Sequence, residues 1–357
     1  MSKTPFIVTI DTEGDDLWTT SRGSREITTR NAAYLPRFQS LCERFRFKPV
    51  YLTNYEMVMS DVFVEFARDV LARGACEIGM HLHAWNSPPL EPLTDDDFFY
   101  HPYLIEYPER VMKEKIKTLT RLLEERFDQQ MVSHRAGRWG FDARYAAMLI
   151  EEGYRVDCSV TPGIDWGANP GDPRGNGGSD YTAFPSRAYF LNLSDISVSG
   201  SASALLEVPM TVGPSRLYRK LPWVYRIPLL RRAANRVSPG LSWLGPAQPT
   251  LGAPLHRHLE VMSLAARRAR EHGAQHVEFM MHSSELMPGG SPSFRNTSDI
   301  ERLYERLEML FEDLSTWCRG VTLMQFHAQF TTSPSRSDQV GNDEGLRNVT
   351  FPQQLPS

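Results

Sequence analysis

Two rhythms of apolar positions alternate along the chain. Short apolar runs of strand length are followed by stretches whose apolar residues recur three and four apart, the helical spacing. Pro5–Asp11 reads as a buried strand, followed by a helix over Thr29–Phe47 with Leu35, Phe38, Leu41, Cys42 and Phe45 on one face. Pro49–Thr53 is a second strand, and Asp61–Ala72 a helix closed by Arg73 and Gly74. Cys76–Leu82 is a third strand. After it come an acidic and aromatic loop over Pro88–Pro108 and an amphipathic helix over Pro108–Phe127. Gln130–His134 and Arg155–Val160 are expected strands, with a helix over Asp142–Glu152 between them. Pro162–Asp180 is too long and polar for a simple connector. Leu205–Val212, Val277–His282 and Val321–Phe326 complete the expected strands; His256–Gly273 and Asp299–Cys318 complete the helices.

Strands and helices that alternate in this way imply a parallel sheet with crossover helices. Charged residues gather where the strands end, and sheets of this kind keep their sites at the carboxyl ends of their strands. No internal repeat is visible. Thr331–Ser357 is polar and aperiodic and reads as a disordered tail.

Composition narrows the picture. With 357 residues, 41% of them hydrophobic, the chain can bury one large core or two ordinary ones. A net charge of −4 argues against general nucleic-acid binding. Met1–Phe6 carries no signal-peptide pattern, and no apolar run approaches the ~20 residues of a membrane span. The four cysteines (Cys42, Cys76, Cys158, Cys318) lie far apart, which fits reduced thiols and a cytoplasmic location.

The chemistry concentrates in four stretches. Ile7–Asp15 runs into Asp11, Glu13 and Asp15, carboxylates at alternate positions that an extended backbone turns to one side. Like charges that close call for a cation or a shared proton. Glu77–Trp85 ends in His81 and His83, an i, i+2 imidazole pair. Two imidazoles and a carboxylate make the usual ligand set of an open catalytic zinc site. Ser133–Gly140 carries Arg135 and Arg138 beside Trp139, and an arginine there would keep a nearby carboxylate ionised and oriented. Val277–Glu285 ends a buried strand in His282, a candidate general acid.

These segments, in this order, resemble the motifs of the polysaccharide deacetylase family, also called the NodB-homology or carbohydrate esterase 4 family. The resemblance spans about residues 5–330. It implies a distorted (β/α)7 barrel and an enzyme that removes N-acetyl groups from sugars with one divalent metal: zinc, with nickel or cobalt as alternatives. Thr9–Gly14 stands for the first motif, with Asp11 as base and Glu13 as metal carboxylate, though Asp15 competes for that role. Glu77–His81 stands for the second. There the family's later histidine is replaced by Trp85, leaving His83 as the substitute ligand. Arg135 or Arg138 with Trp139 is similar to the third motif, Asp157 and Asp165-Trp166 to the fourth, and Phe279–His282 to the fifth. Arg138, Trp85, Trp139 and Trp166 are expected to contact the sugar.

A basic, apolar insert spans 208–259 and contains no acid. Arg216, Arg219, Lys220, Arg226, Arg231, Arg232 and Arg236 alternate with Leu217, Tyr218, Trp223 and Tyr225, a mixture that suits anionic lipid or a lipid-linked phosphate. The expected organisation is a barrel domain over 1–332 and a tail over 333–357. The expected function is a cytoplasmic sugar N-deacetylase of surface-polysaccharide or glycolipid synthesis in a bacterium, peripheral to the inner membrane through 216–236. Hydrolysis of another C–N amide and glycan binding by a decayed site are the alternatives.

Overall fold

The structure is a computed structural model. It describes residues 3–15, 27–167, 177–200, 205–214 and 273–332, and a few positions between 215 and 272. Most of the basic insert and the whole of 333–357 lie outside the described residues, and with them the expectations placed there.

A curled sheet forms the frame. Its strands are β1 (Thr4–Thr12), β2 (Pro49–Thr53), β3 (Glu77–Leu82), β4 (Ser133–Ala136), β5 (Val156–Asp157), β6 (Tyr189–Phe190), β7 (Leu206–Glu207), β10 (Val277–His282) and β11 (Cys318–Gly320). A separate hairpin pairs β8 (Val212–Pro214) with β9 (Leu241–Trp243). In the sheet the order is β10-β1-β2-β3-β4-β5-β7-β6, with β11 also paired to β1. All pairs are parallel except β6 with β7. This is the expected α/β architecture.

Strand alternation sorts the side chains. From β1, Phe6, Val8 and Ile10 join the core under the helices, while Ile7 packs with Val50, Leu52, Val156, Cys158 and Leu206 on the other face. The polar Thr9 and Asp11 share that second face with Ile7. The helices are α1 (Leu35–Arg44), α2 (Tyr55–Val58), α3 (Asp61–Ala72), α4 (Asp97–Tyr100), α5 (Glu109–Phe127), α6 (Ala143–Glu151), α7 (Thr297–Trp317) and α8 (Leu323–Thr332), of which α8 places Leu323 and Phe326 in the Ile7 cluster. Along α5, Met112, Ile116, Leu119 and Leu123 are fully buried at helical spacing. Each is worth about 1.5–3 kcal/mol of transfer free energy. Asp142 caps α6 through the Tyr145 N–H (2.9 Å).

Three expectations need correction. The fourth strand lies at Ser133–Ala136, not Gln130–His134, so Arg135 sits within a strand and not after one. Val321–Phe326 is not a strand: Cys318–Gly320 pairs with Thr4–Phe6, and the following apolar residues start α8. A short apolar run carries too little periodicity to tell the two apart. Leu205–Val212 is not one strand, since β7 stops at Glu207 and β8 begins at Val212.

Candidate metal centre

Parallel pairing brings the ends of β1, β3, β4 and β10 together. Asp11 lies in register with His282, and His81 with Arg135. Glu13 follows the end of β1, and His83 follows β3. Glu13, His81 and His83 are all buried, and one ligand atom from each lies within 4.8 Å of the others.

The electrostatics suit a cation. His81 Nδ1–H donates to the Arg135 carbonyl (3.0 Å), and its Nε2 faces Glu13 Oε2, 3.5 Å away. Burial opposes a charge on His81, but Asp11 and Glu13 outweigh it and raise the imidazole's pKa. His83 Nε2 lies 2.8 Å from the same oxygen. Burial pushes His83 down to about 4, so its ring is neutral at neutral pH. Burial opposes the charge on Glu13, but the hydrogen bonds from His81 and His83 outweigh it and hold the carboxyl well below its ordinary range. A divalent ion requires an ionised carboxylate and imidazole lone pairs, so binding would release the proton that Asp11 and Glu13 favour on His81. The residues therefore fit a metal.

Asp15, the competing carboxylate, is committed elsewhere. It accepts from Thr28 Oγ1 and from Arg30 Nε (3.1 Å) and is absent from the cluster.

Gly137 is shaped to this centre. A Cβ there would stand 2.5 Å from the Leu82 carbonyl oxygen and 2.7 Å from His83 Nδ1. Gly137→Ala is expected to tilt the His83 ring and weaken metal binding roughly 10–100-fold, the usual size of an outer-shell defect. Titration of the purified variant with zinc checks this, and unchanged affinity contradicts it.

Beside the cluster lies a candidate base. Asp11 Oδ1 accepts from Arg135 Nη1 (2.6 Å), and Asp11 Oδ2 is 3.8 Å from His81 Nε2. Burial raises its pKa, but the Arg135 guanidinium prevails and holds the carboxyl below its ordinary range. Arg135, fully buried, also donates to Thr9 Oγ1 (2.8 Å), the Cys158 carbonyl (3.2 Å) and Glu278 Oε1.

A candidate acid stands across from Asp11. His282 Nε2 is 3.8 Å from Glu13 Oε1, and its Nδ1 is 3.5 Å from Glu285 Oε2. Burial lowers the imidazolium pKa, but Glu285 and Glu13 outweigh it and lift His282 to about 9.

The expected sugar contacts divide. The Trp85 ring packs 4.3 Å from that of His83, with Arg138 over its face at 5.2 Å. Trp139 stacks on Trp166 (6.5 Å, 9° between planes), and Arg135 lies over Trp139 at 4.9 Å. Arg138 and Trp139 both adopt left-handed backbone (φ 53° and 62°), strain that persists where the fold needs the side chains so placed.

Asp157 does not join the site. It accepts from His134 Nδ1 (2.6 Å), and strand alternation turns His134 to the face opposite Arg135. Asp165 accepts from the Gly167 N–H and closes a local turn.

Sequence reading missed Glu56, Glu278 and the role of Glu285. Glu278 sits four residues before His282 on one strand face, a spacing that could have revealed it. Glu56 follows Asn54 in a four-residue helix, too short to show any period. Burial pushes both Glu56 and Glu278 up to about 7.

No protein-family model matches the chain, and no curated protein matches it. Solved structures do. A Mycobacterium smegmatis protein named as a polysaccharide deacetylase aligns at 16% identity over 94% of each chain, with a TM-score of 0.53. A Parabacteroides distasonis protein named as a glycoside hydrolase/deacetylase aligns at 11% identity, covering 94% of this chain and 73% of its own, with a TM-score of 0.62. The 4-alpha-glucanotransferase of Thermococcus litoralis aligns at 14% identity, covering 93% of this chain and 41% of its own, with a TM-score of 0.50. One architecture thus hosts different chemistries, so function must be argued from the site. In its fold, the chain is a barrel of the polysaccharide deacetylase type, with a Glu–His–His set at the carboxyl ends of its strands.

Proposed function

We propose that the protein is a metal-dependent hydrolase that removes an N-acetyl or similar acyl group from a sugar. The observation that carries this is the grouping of Glu13, His81 and His83 between a carboxylate paired with a buried arginine and a histidine paired with a buried carboxylate. A divalent ion held by those three residues would polarise the acyl carbonyl and acidify water, and zinc, nickel or cobalt would each suit the donors.

The chain's own residues supply the proton transfers. Asp11, kept ionised and oriented by Arg135, accepts a proton from the attacking water. His282, kept protonated through neutral pH by Glu285 and Glu13, gives a proton to the leaving nitrogen. An amine leaves poorly without that proton, so a positioned acid matters more for an amide than for an activated ester. Acetate release from N-acetylated sugars, measured with and without added zinc, tests the reading. Formate release in place of acetate would favour another C–N amide, and stoichiometric metal without turnover of any amide would favour a binder.

A lipid-linked glycan as substrate, and contact with an inner membrane leaflet through 216–236, belong to the same proposal. The basic composition of that stretch supports them, as do Leu221 and Trp223 within it, both exposed. Liposome flotation is expected to recover more protein with anionic than with neutral vesicles, and less after removal of Arg231 and Arg232. Equal recovery throughout would contradict membrane contact. Among the described residues, no helix is long and apolar enough to cross a membrane.

A further inference from the structure

Glu13 lies just past β1, whose pairing ends with Thr12 opposite Thr53, so the ladder does not fix its peptide groups. Two side chains from distant parts of the chain hold them instead. Asn31 belongs to a short turn of helix over Arg30–Tyr34, and Ser283 opens another over Ser283–Leu286. Both residues are fully buried. Ser283 Oγ accepts from the Glu13 N–H (3.1 Å) and lies the same distance from the Glu13 carbonyl, to which its hydroxyl donates (3.1 Å). Asn31 Nδ2 uses both its hydrogens, donating to that carbonyl (2.7 Å) and to Ser283 Oγ (2.9 Å).

The Asn31 amide faces this way against its own interest. Its Oδ1 is buried and has no hydrogen-bond partner among the described residues. An unpaired buried acceptor opposes folding. Turning the amide over would set that oxygen against the Glu13 carbonyl and withdraw both donors. The arrangement therefore fixes Glu13 at the expense of Asn31.

Ser283 also ties Glu13 to the candidate acid. It follows His282 directly, and Glu285 of the same turn accepts from the His282 N–H (2.9 Å). One turn thus grips the peptide of the metal carboxylate and the residue that donates the proton.

We infer that Asn31 and Ser283 are positioning residues for the metal carboxylate: they clamp the Glu13 peptide and so aim the Glu13 side chain at His81 and His83. The inference rests on the metal centre proposed above, and its test separates the two.

Zinc affinity is measured by calorimetry well below the unfolding temperature, together with the visible spectrum of the cobalt-loaded chain, which reports coordination geometry. Ser283→Ala and Asn31→Leu, the latter similar in volume but without donors, are each expected to weaken zinc binding about 10–100-fold and to shift the cobalt spectrum. Leu314→Ala, a deletion in the buried face of α7, is the control. It is expected to lower thermal stability while zinc affinity stays within about twofold of native and the cobalt spectrum is unchanged. Lowered stability in the clamp variants, with native zinc affinity and a native cobalt spectrum, would mean a structural role only and would overturn the inference. Ser283→Ala, which removes a single oxygen, decides the matter if Asn31→Leu does not fold. If the native chain binds none of zinc, nickel and cobalt, the metal reading fails, and hydrogen exchange at the Glu13 amide then judges the clamp. Exchange at least about tenfold faster in Ser283→Ala than in the native chain, with Val8 and Ile10 unchanged, supports it, and equal exchange at Glu13 overturns it.

Discussion

Asp11→Asn is expected to lower kcat on the protein's amide substrate by about 10²–10⁴-fold, the usual contribution of a positioned general base, without loss of fold or metal. The amide keeps the shape and can still meet Arg135, but it cannot take a proton from water. His282→Ala is expected to produce a similar loss on an amide and a smaller one on 4-nitrophenyl acetate, whose leaving group needs no proton. Full activity in Asp11→Asn, or equal losses on amide and ester in His282→Ala, would remove the roles assigned here. The pH–rate profile carries the same signature. Activity depends on protonated His282 and falls as pH rises through its pKa, about 9. A bound cation repels the imidazolium and moves that limb to lower pH. Removing the Glu285 charge in Glu285→Gln is expected to move it lower still.

The second large effect concerns stability. Arg135 is fully buried and serves Asp11 and Glu278 together. Arg135→Met leaves both carboxylates buried and unpaired, a defect of about 3–5 kcal/mol. Thermal unfolding is expected to shift down by on the order of 10 °C at pH 8. The sign of the pH dependence follows from burial. In the variant both carboxyls titrate above their unfolded values, so the folded state binds more protons than the unfolded chain, and stability falls as pH rises. Glu278 already titrates at about 7 with the arginine present. The deficit should therefore shrink as pH is lowered from 8 towards 5. A deficit independent of pH would mean that lost packing, and not unpaired charge, is responsible.

Much of this arrangement was legible in the residues. The apolar runs ending at Asp11, His81 and His282 marked strand ends, because buried parallel strands are apolar until they leave the sheet. The i, i+2 spacing of His81 and His83 placed both rings on one side. Three things were hidden. Asp157 looked like a site acid, but its direction depends on strand register, which a two-residue strand does not announce. The choice between Glu13 and Asp15 turned on Thr28 and Arg30, residues distant in sequence that claim Asp15. Glu56 is buried against a tertiary neighbour, Asn86, which donates to it, and no local pattern pairs them.

The proposed chemistry needs one ion held by Glu13, His81 and His83, and calorimetric titration of the purified chain with zinc, nickel and cobalt tests this most directly. One ion per chain is expected for at least one of these metals. Affinity should fall at least about 100-fold in His83→Ala and in Glu13→Gln and stay unchanged in Asp15→Asn. Failure to bind any of the three metals, or binding lost in Asp15→Asn but retained in Glu13→Gln, would contradict it.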